Sequence, residues 1–286
     1  MTGTAIDIVH VAACPEVAPE ECATTEIPEH LHDQDILWFR LDPTLSVGLG
    51  EGVGASVQLP FDFRAVTVEY LTLDGEPYAP PYGDIHHRTE NIAGLTDATV
   101  MLRVSRAPGR FLLTAGAGST LPLGRTEEDP YAAGEAGEEH QHMQLGTGTF
   151  VPVVGLDAAY MAGRWGALAY TSSRLSLYAN DRGYRAPVTV SGGLGPTFRA
   201  TTKFTVLAAV EGSWESAEHW NGVAYAGRSA VGIAGGVVAS LSSSVVVQAQ
   251  ARGNVFEHTE HQEEEGEFHQ PVTLSAGVSW TFGKGE

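Results

Sequence analysis

Histidines are the residues of this 286-residue chain most suited to metal chemistry, because ten of its eleven fall outside the stretches with strand-like alternation. Several lie beside carboxylates, as in Glu138-Glu-His-Gln-His142. Imidazole and carboxylate are ligands that Zn, Cu or Ni accept, and two converging connections could complete a tetrahedral set. No spacing here is a diagnostic metal motif, so the alternative is that these acidic segments are solvated or bind cations that bridge lipopolysaccharide. The candidate ligands are His86, His87, His140, His142, His258 and His261.

Cys14 and Cys22 are the two cysteines of the chain, and they lie close together in a segment rich in Pro and Glu. An isolated close pair in such a segment predicts a local disulfide formed in an oxidising compartment. Free thiols, or soft metal ligands acting with His10, are the alternative.

The elements that must position these residues are predicted from alternation with a period of two. Apolar residues occupy the odd positions from Leu37 to Leu49 and again from Val53 to Phe63, with polar or small residues between them. Successive side chains of a strand point to opposite faces, so each strand has one apolar and one polar face. The same unit recurs down to the final strand, Val272 to Phe282.

Charged and amide side chains on the polar face are predicted to line a lumen, because a charge away from bulk water needs a partner or a hydrated path. Mixed signs would give weak charge selectivity. The alternative is an interior that is paired and plugged. The predicted lumen-lining residues are Arg40, Asp42, Gln58, Asp62, Arg64, Arg103, Asp157, Arg199, Lys203, Glu211, Gln248, Gln250 and Arg252.

Short and long connections alternate between these strands, as they do in outer-membrane barrels with tight periplasmic turns and longer extracellular loops. With a first strand over residues 4–12, the count becomes twelve. The prediction is therefore an all-β fold: one transmembrane antiparallel up-and-down β-barrel over residues 1–286. Its extracellular loops are predicted at 13–35, 74–91, 124–145, 216–226 and 258–270.

Charge and composition restrict the partners. The formal net charge of −19 argues against nucleic acid, which needs a basic surface, and would attract cations instead. No stretch approaches the roughly 18 consecutive apolar residues of a transmembrane helix. The first residues, Met1 to Asp7, lack the basic and apolar regions of a secretory signal, so the barrel interpretation implies that a signal has been removed.

Catalytic motifs give little support for an enzyme. The chain contains neither a Gly-x-Ser-x-Gly elbow nor a His-Glu-x-x-His zinc motif. The Gly-rich stretch Ser191-Gly-Gly-Leu-Gly195 falls within a strand, where glycine marks close packing or a bend rather than a phosphate cradle. We therefore predict a protein that is not an enzyme.

Four segments resemble a known family. Asn91 to Arg103, Phe111 to Gly124 and Leu145 to Phe150 resemble strand openings and closings of the outer-membrane meta-pathway phenol-degradation (MetA-type) transporters, which are similar to FadL-type channels for hydrophobic compounds. The terminal Val278 to Phe282 resembles the aromatic signal for membrane assembly. Thr96 replaces a second Gly of the family pattern, and four residues follow Phe282 where an aromatic normally ends the chain.

The likeness spans about residues 36–282 and implies an outer-membrane channel that passes a hydrophobic or aromatic compound. Its partners would be outer-membrane lipid, lipopolysaccharide and a small solute, and no cofactor would be required. The alternatives are a protein that captures Zn, Cu or Ni through its His/Glu-rich loops, and a structural barrel with a plugged lumen.

Overall fold

The computed structural model describes residues 1–12, 28–80, 88–136, 138–260 and 266–282. Within these ranges the chain forms nineteen strands and one short helix. Among them, no helix has the length and apolar character needed to cross a membrane. The strands are β1 (Thr2–Ala12), β2 (His30–Leu41), β3 (Thr44–Gly50), β4 (Val53–Gln58), β5 (Phe61–Thr72), β6 (Glu90–Leu95), β7 (Ala98–Arg106), β8 (Phe111–Leu121), β9 (Pro152–Ala162), β10 (Trp165–Arg174), β11 (Tyr184–Arg185), β12 (Thr189–Arg199), β13 (Phe204–Glu215), β14 (His219–Trp220), β15 (Val223–Ala224), β16 (Gly227–Ser240), β17 (Val245–Glu260), β18 (Gly266–His269) and β19 (Val272–Trp280), and the helix is α1 (Pro130–Glu135).

Sixteen of the described strands belong to one antiparallel sheet, in the order β3-β4-β7-β8-β9-β10-β12-β13-β16-β17-β19-β1-β2-β5-β6, with β18 also paired to β1. The two ends of the chain meet in this sheet, because β1 pairs with β19 and places Thr2 opposite Ser275. Strands β11, β14 and β15 form a separate small sheet. The predicted all-β, antiparallel architecture is confirmed.

The sheet has more strands than the twelve expected because several long strands are interrupted. Two residues separate β2 from β3, β4 from β5, and β6 from β7. Pro43 and Pro60 lie in the first two gaps, and proline has no N–H to donate to a ladder. The pairing continues past them through their carbonyl oxygens, which accept from the Leu59 and Thr96 amides at 3.0 Å each.

The two faces of the sheet reverse the burial pattern of a soluble protein. Leu45 is 74% exposed and Ile233 is 58% exposed, whereas Asp62 on the opposite face is 0% exposed. We call the face of Leu45 and Ile233 the exposed face and the face of Asp62 the buried face. A continuous exposed apolar face is typical of strands that contact acyl chains.

Aromatic side chains collect at the end of the sheet that carries the short connections. Trp165 packs on Phe198 with ring centroids 4.7 Å apart, and Trp280 stacks on Phe282 at 5.1 Å. Tryptophan and other aromatic rings favour the interface between hydrocarbon and water. This end of the exposed face therefore has the character of a membrane girdle.

The long connections lie at the opposite end, and several are shorter than expected because the strands extend into them. β2 begins at His30, β6 at Glu90 and β18 at Gly266, so residues 30–35, 90–91, 258–260 and 266–269 are strand rather than loop. The 216–226 connection contains β14 and β15. The predicted Cys14–Cys22 disulfide lies outside the described residues.

A charge placed on the exposed face tests whether this face meets lipid. We expect Ile233→Arg, near the middle of β16, to lower the free energy of unfolding in lipid vesicles by about 2–4 kcal/mol, because arginine at the bilayer midplane is costly. Val223→Arg is the matched control, since Val223 is 56% exposed but lies in a long connection. Equal losses for the two variants, measured by urea titration, would contradict the assignment.

Candidate functional site

One connection folds back onto the buried face of the sheet. Residues 140–149, which we call the inner segment, belong to the connection between β8 and β9. Its Leu145 is 6% exposed and packs in one apolar cluster with Ile6, Ile36, Val66 and Ile92, which come from β1, β2, β5 and β6. Part of the predicted 124–145 loop therefore folds inward, because the apolar side chain of Leu145 gains burial there.

Asp97, in the gap between β6 and β7, fixes the inner segment. Its carboxylate accepts hydrogen bonds from the Gly124 amide at 3.0 Å and from the Thr147 amide and hydroxyl at 2.8 and 2.7 Å. The start and the end of the connection between β8 and β9 approach each other at Gly124 and Gly146. Glycine is needed there, since a Cβ on Gly124 would lie 2.6 Å from the Cα of Gly146.

Two further side chains bind the inner segment from the sheet. Arg64 on β5 donates to the Gln144 carbonyl at 3.1 Å, and the Gln141 amide donates to the Glu90 carboxylate. The inner segment thus bridges strands that are distant from β8 and β9 in the sheet order, and it occupies space next to the buried charges.

The first charged cluster on the buried face contains Asp62 between two arginines. Arg40 donates to both carboxylate oxygens at 2.6 and 2.9 Å, and Arg64 donates to Oδ2 at 2.9 Å. The Trp38 ring lies beneath both guanidinium groups, at 5.1 and 4.7 Å from its centroid. The carboxylate and the ring together compensate two cations that are removed from bulk water.

The second cluster is built around Glu211 on β13. Its Oε1 accepts from the Tyr170 hydroxyl at 2.6 Å and from the Gln250 amide at 2.9 Å, and Arg252 Nε lies 3.8 Å from Oε2. Tyr170 reaches Glu211 across β12 because residue 193 is glycine, where a Cβ would lie 2.9 Å from the tyrosine ring.

A cavity of about 280 Å³ lies beside the second cluster. Its lining comes from β8, β9, β10, β13 and β17, so the buried face is concave over these strands. Apolar side chains such as Leu112, Leu168 and Leu207 form most of the wall, and Asp157 and Glu211 contribute carboxylates.

The structure brings together eight of the thirteen predicted lumen-lining residues in bonded groups. Besides the two clusters, Gln58 donates to Asp42 at 3.0 Å. Arg103 lies on β7 opposite Gly116, and Gln248 on β17 opposite Gly277. Arg199 ends β12 and donates to the Gly163 carbonyl at 2.6 Å, and Lys203 lies in the short connection that follows, not on a strand. Arg199 and Lys203 therefore lie at one end of the sheet.

Three of the six predicted metal ligands belong to the described residues. His86, His87 and His261 lie outside the described residues. His140 and His142 lie on the inner segment with ring centroids 5.1 Å apart. His258 lies on β17 rather than in a loop, opposite Ser229. In the part of the chain that the structure describes, no group of three or more His, Cys, Asp or Glu side chains is arranged to hold a metal ion.

Three other histidines form a buried group that alternation did not identify. His30 is 0% exposed and His32 is 1% exposed, and their Nε2 atoms lie 3.1 Å apart. The ring of His10 on β1 meets His32 edge-on at 4.6 Å. Their placement on one face follows from the β1–β2 register, in which His10 is opposite His32.

The small sheet caps the long-connection end through contacts with α1. Tyr131 stacks on Tyr225 at 3.7 Å, and Asn221 donates to Asp129 at 2.5 Å. Beneath the cap, the Tyr184 hydroxyl donates to Glu218 at 3.2 Å. Burial raises the pKa of the Glu218 carboxyl, and burial with the adjacent Glu218 raises the pKa of Tyr184. Both groups therefore favour their neutral forms.

Sequence reasoning missed Trp38, Asp97 and Tyr170. Trp38 and Tyr170 lie on the same face of their strands as predicted lumen residues, so alternation could have placed them there. They were not selected because the search was for charged and amide side chains. Asp97 lies in a gap between strands, where alternation gives no signal.

Comparisons with known proteins bear on the fold. No protein-family model matches the chain, and no curated protein sequence matches it. Among solved structures, an outer-membrane channel from Pseudomonas putida F1 superposes with a TM-score of 0.51 at 13% identity, covering 97% of this chain and 94% of that chain. The CymD monoaromatic hydrocarbon channel gives 0.42 at 8% identity, covering 98% and 88%, and a Pseudomonas aeruginosa FadL homologue gives 0.42 at 10%, covering 98% and 89%.

The likeness to the Pseudomonas putida channel covers nearly all of both chains and shows the fold. The chain has the fold of an outer-membrane channel. This fold supports the predicted outer-membrane localisation. The MetA-type family suggested by the sequence motifs stays a prediction.

Replacing Asp62 tests the first charged cluster. We expect Asp62→Asn to lower the free energy of unfolding in lipid by about 3–5 kcal/mol, because it leaves two arginines without their shared counter-charge. Asp42→Asn is the control, since Asp42 accepts one bond from Gln58 and its replacement should cost about 1 kcal/mol. If Asp62→Asn is no more destabilising than Asp42→Asn, the cluster does not hold this face together.

Proposed function

We propose that the large sheet closes into a barrel of twelve long strands and forms an outer-membrane channel for a small solute. The number twelve follows if each interrupted pair (β2/β3, β4/β5, β6/β7 and β18/β19) is counted as one strand. Pairing of β1 with β19, and the hydrogen bonds that cross the proline gaps, support closure because they leave each long strand with two neighbours.

Contacts across the buried face also support a closed shape. Arg174 on β10 interacts electrostatically with Arg40 and Asp97, although β10 is several strands away from β2 and β6 in either direction along the sheet. The inner segment makes a similar crossing when Leu145 joins the cluster on β1, β2, β5 and β6. A flat sheet would separate these groups.

The observation that carries the proposal of transport is the combination of an exposed apolar face with a concave buried face that holds two clusters of hydrogen-bonded charges. Asp62 and Glu211 are already engaged by arginine, tyrosine and glutamine donors. Charges held this way can line a hydrated path. We therefore propose a channel rather than an enzyme.

The inner segment narrows this path in our proposal. It packs next to the Arg40–Asp62–Arg64 cluster and is bound to Asp97 by two hydrogen bonds from Thr147, while Gly124, in the same connection, donates a third. The solute would be hydrophobic or aromatic, as the sequence resemblance implies, and the leucines that line the cavity beside Glu211 fit a solute with an apolar body.

Releasing the inner segment tests this function. Wild-type protein in planar bilayers should give discrete single-channel currents, and Asp97→Ala should raise the mean conductance. Asp97→Ala removes the carboxylate that accepts all three bonds, and loss of even one hydrogen bond to a charged group weakens the narrowed state by about 1.5 kcal/mol, which is roughly a tenfold change in its population.

Asp74→Ala is the control for that measurement, since Asp74 is exposed in a long connection. A bilayer that stays silent with wild-type protein would overturn the channel. Equal conductance in Asp97→Ala and wild type would overturn the role of the inner segment.

Capture of Zn, Cu or Ni is a second candidate, favoured by the close approach of His140 and His142 on the inner segment. It predicts saturable zinc binding to the purified protein in detergent, measured by calorimetry, and its loss in a double variant, His140→Ala with His142→Ala, because imidazole is the ligand. His269→Ala is a histidine control on β18. Absence of saturable heat would dispose of this candidate.

A further inference from the structure

We infer that the cavity beside Glu211 binds a small amphipathic organic cation, such as a protonated amine with an aromatic or alkyl body. The inference rests on the proposed channel function and names the chemical class of its solute. It depends on three features of the cavity: its size, its apolar wall, and the carboxylates at its polar end.

The cavity has the size of one small organic molecule. Its volume is about 280 Å³, whereas an apolar cavity of roughly 150 Å³ is large enough to bind benzene. Leu112, Leu168 and Leu207, with alanines between them, supply a wall against which a ring or short alkyl chain loses its contact with water. A hydrated inorganic ion would gain nothing from this wall.

The polar end of the cavity is negatively charged. In the part of the chain that the structure describes, no hydrogen bond or ion pair engages the carboxylate of Asp157, which lies on β9 opposite Tyr170. Glu211 is 7% exposed, and its Oε1 accepts from two neutral donors. Arg252 Nε lies 3.8 Å from Glu211 Oε2, so Glu211 has a counter-charge, whereas none of the described ion pairs gives one to Asp157.

This arrangement selects by charge among solutes of the same shape. An ammonium group would form a charge-assisted hydrogen bond with Asp157 and lie near the Tyr170 ring, which attracts cations. A carboxylate on the same body would be repelled by Asp157 and Glu211, and a neutral body would leave the Asp157 charge unpaired. Arg103, on the same face of β7, is not among the residues that line the cavity.

The charge of the whole chain favours the same class of solute. The net charge is −19, and the long connections carry acidic residues that include Glu128, Asp129, Glu138 and Asp181. A channel entrance lined by charges of one sign raises the local concentration of ions of the opposite sign. Cations would therefore be drawn toward the path that leads to the cavity.

The test compares benzylamine, benzyl alcohol and benzoate, which share a ring and differ in charge. Calorimetry on wild-type protein in detergent at pH 7 should give saturable binding of benzylamine, at least tenfold weaker binding of benzyl alcohol, and no binding of benzoate. Asp157→Asn should weaken benzylamine binding about tenfold, as loss of one charged hydrogen-bond acceptor would. Asp74→Asn, in an exposed long connection, should bind as wild type does.

A second variant keeps the test independent of the charge change. Ala159→Leu fills part of the cavity and should also reduce benzylamine binding, with heat-modifiable gel migration confirming that each variant is folded. Benzoate binding as tightly as benzylamine, or Asp157→Asn leaving benzylamine binding unchanged, would overturn the inference.

Bilayer recordings separate this inference from the proposed channel. Benzylamine should block wild-type currents at lower concentration than benzoate does. Benzylamine binding without any conductance would overturn the channel and leave the cavity assignment standing. Conductance without benzylamine binding would overturn the cavity assignment and leave the channel standing.

Discussion

The rest of this structure depends on one constraint: every backbone N–H and C=O group in the membrane must form a hydrogen bond within the protein. In hydrocarbon, an unpaired N–H or C=O has no water to turn to, so a sheet can span a membrane only when its strands are paired on both sides. The carbonyls of Pro43 and Pro60 keep the ladder continuous where an N–H is missing, and β19 supplies a partner for β1. The exposed apolar face is permitted only because the backbone behind it is already satisfied.

For a similar reason, the charged and hydrogen-bonding side chains lie on the buried face of the sheet. There Asp62 lies between two arginines and Glu211 accepts from tyrosine and glutamine. Such groups are costly unless they are bonded, and the charges of these two clusters have compensating partners. Small residues make the partnerships possible, since Gly193 lets Tyr170 cross a strand to reach its acceptor.

Alternation in the sequence was enough to predict the all-β, antiparallel architecture, because a period of two depends only on neighbours along the chain. It could not place the inner segment, whose burial depends on Leu145 meeting residues from four distant strands. For the same reason, the charged residues of the site were identified singly, while their pairing across the sheet, as between Tyr170 and Glu211, was not. His258 was misplaced because a polar, acidic stretch of β17 has the composition of a loop.

Pairing of β1 with β19 also determines when folding of the sheet can be completed. Strand β1 meets a neighbour that is synthesised much later, because Thr4 hydrogen-bonds with Val272 across an interval of 268 residues. Contacts of such long sequence separation are slow to form. Until they do, one side of β1 is an open template for pairing with other chains, so the unfinished protein needs protection from aggregation that the finished one does not.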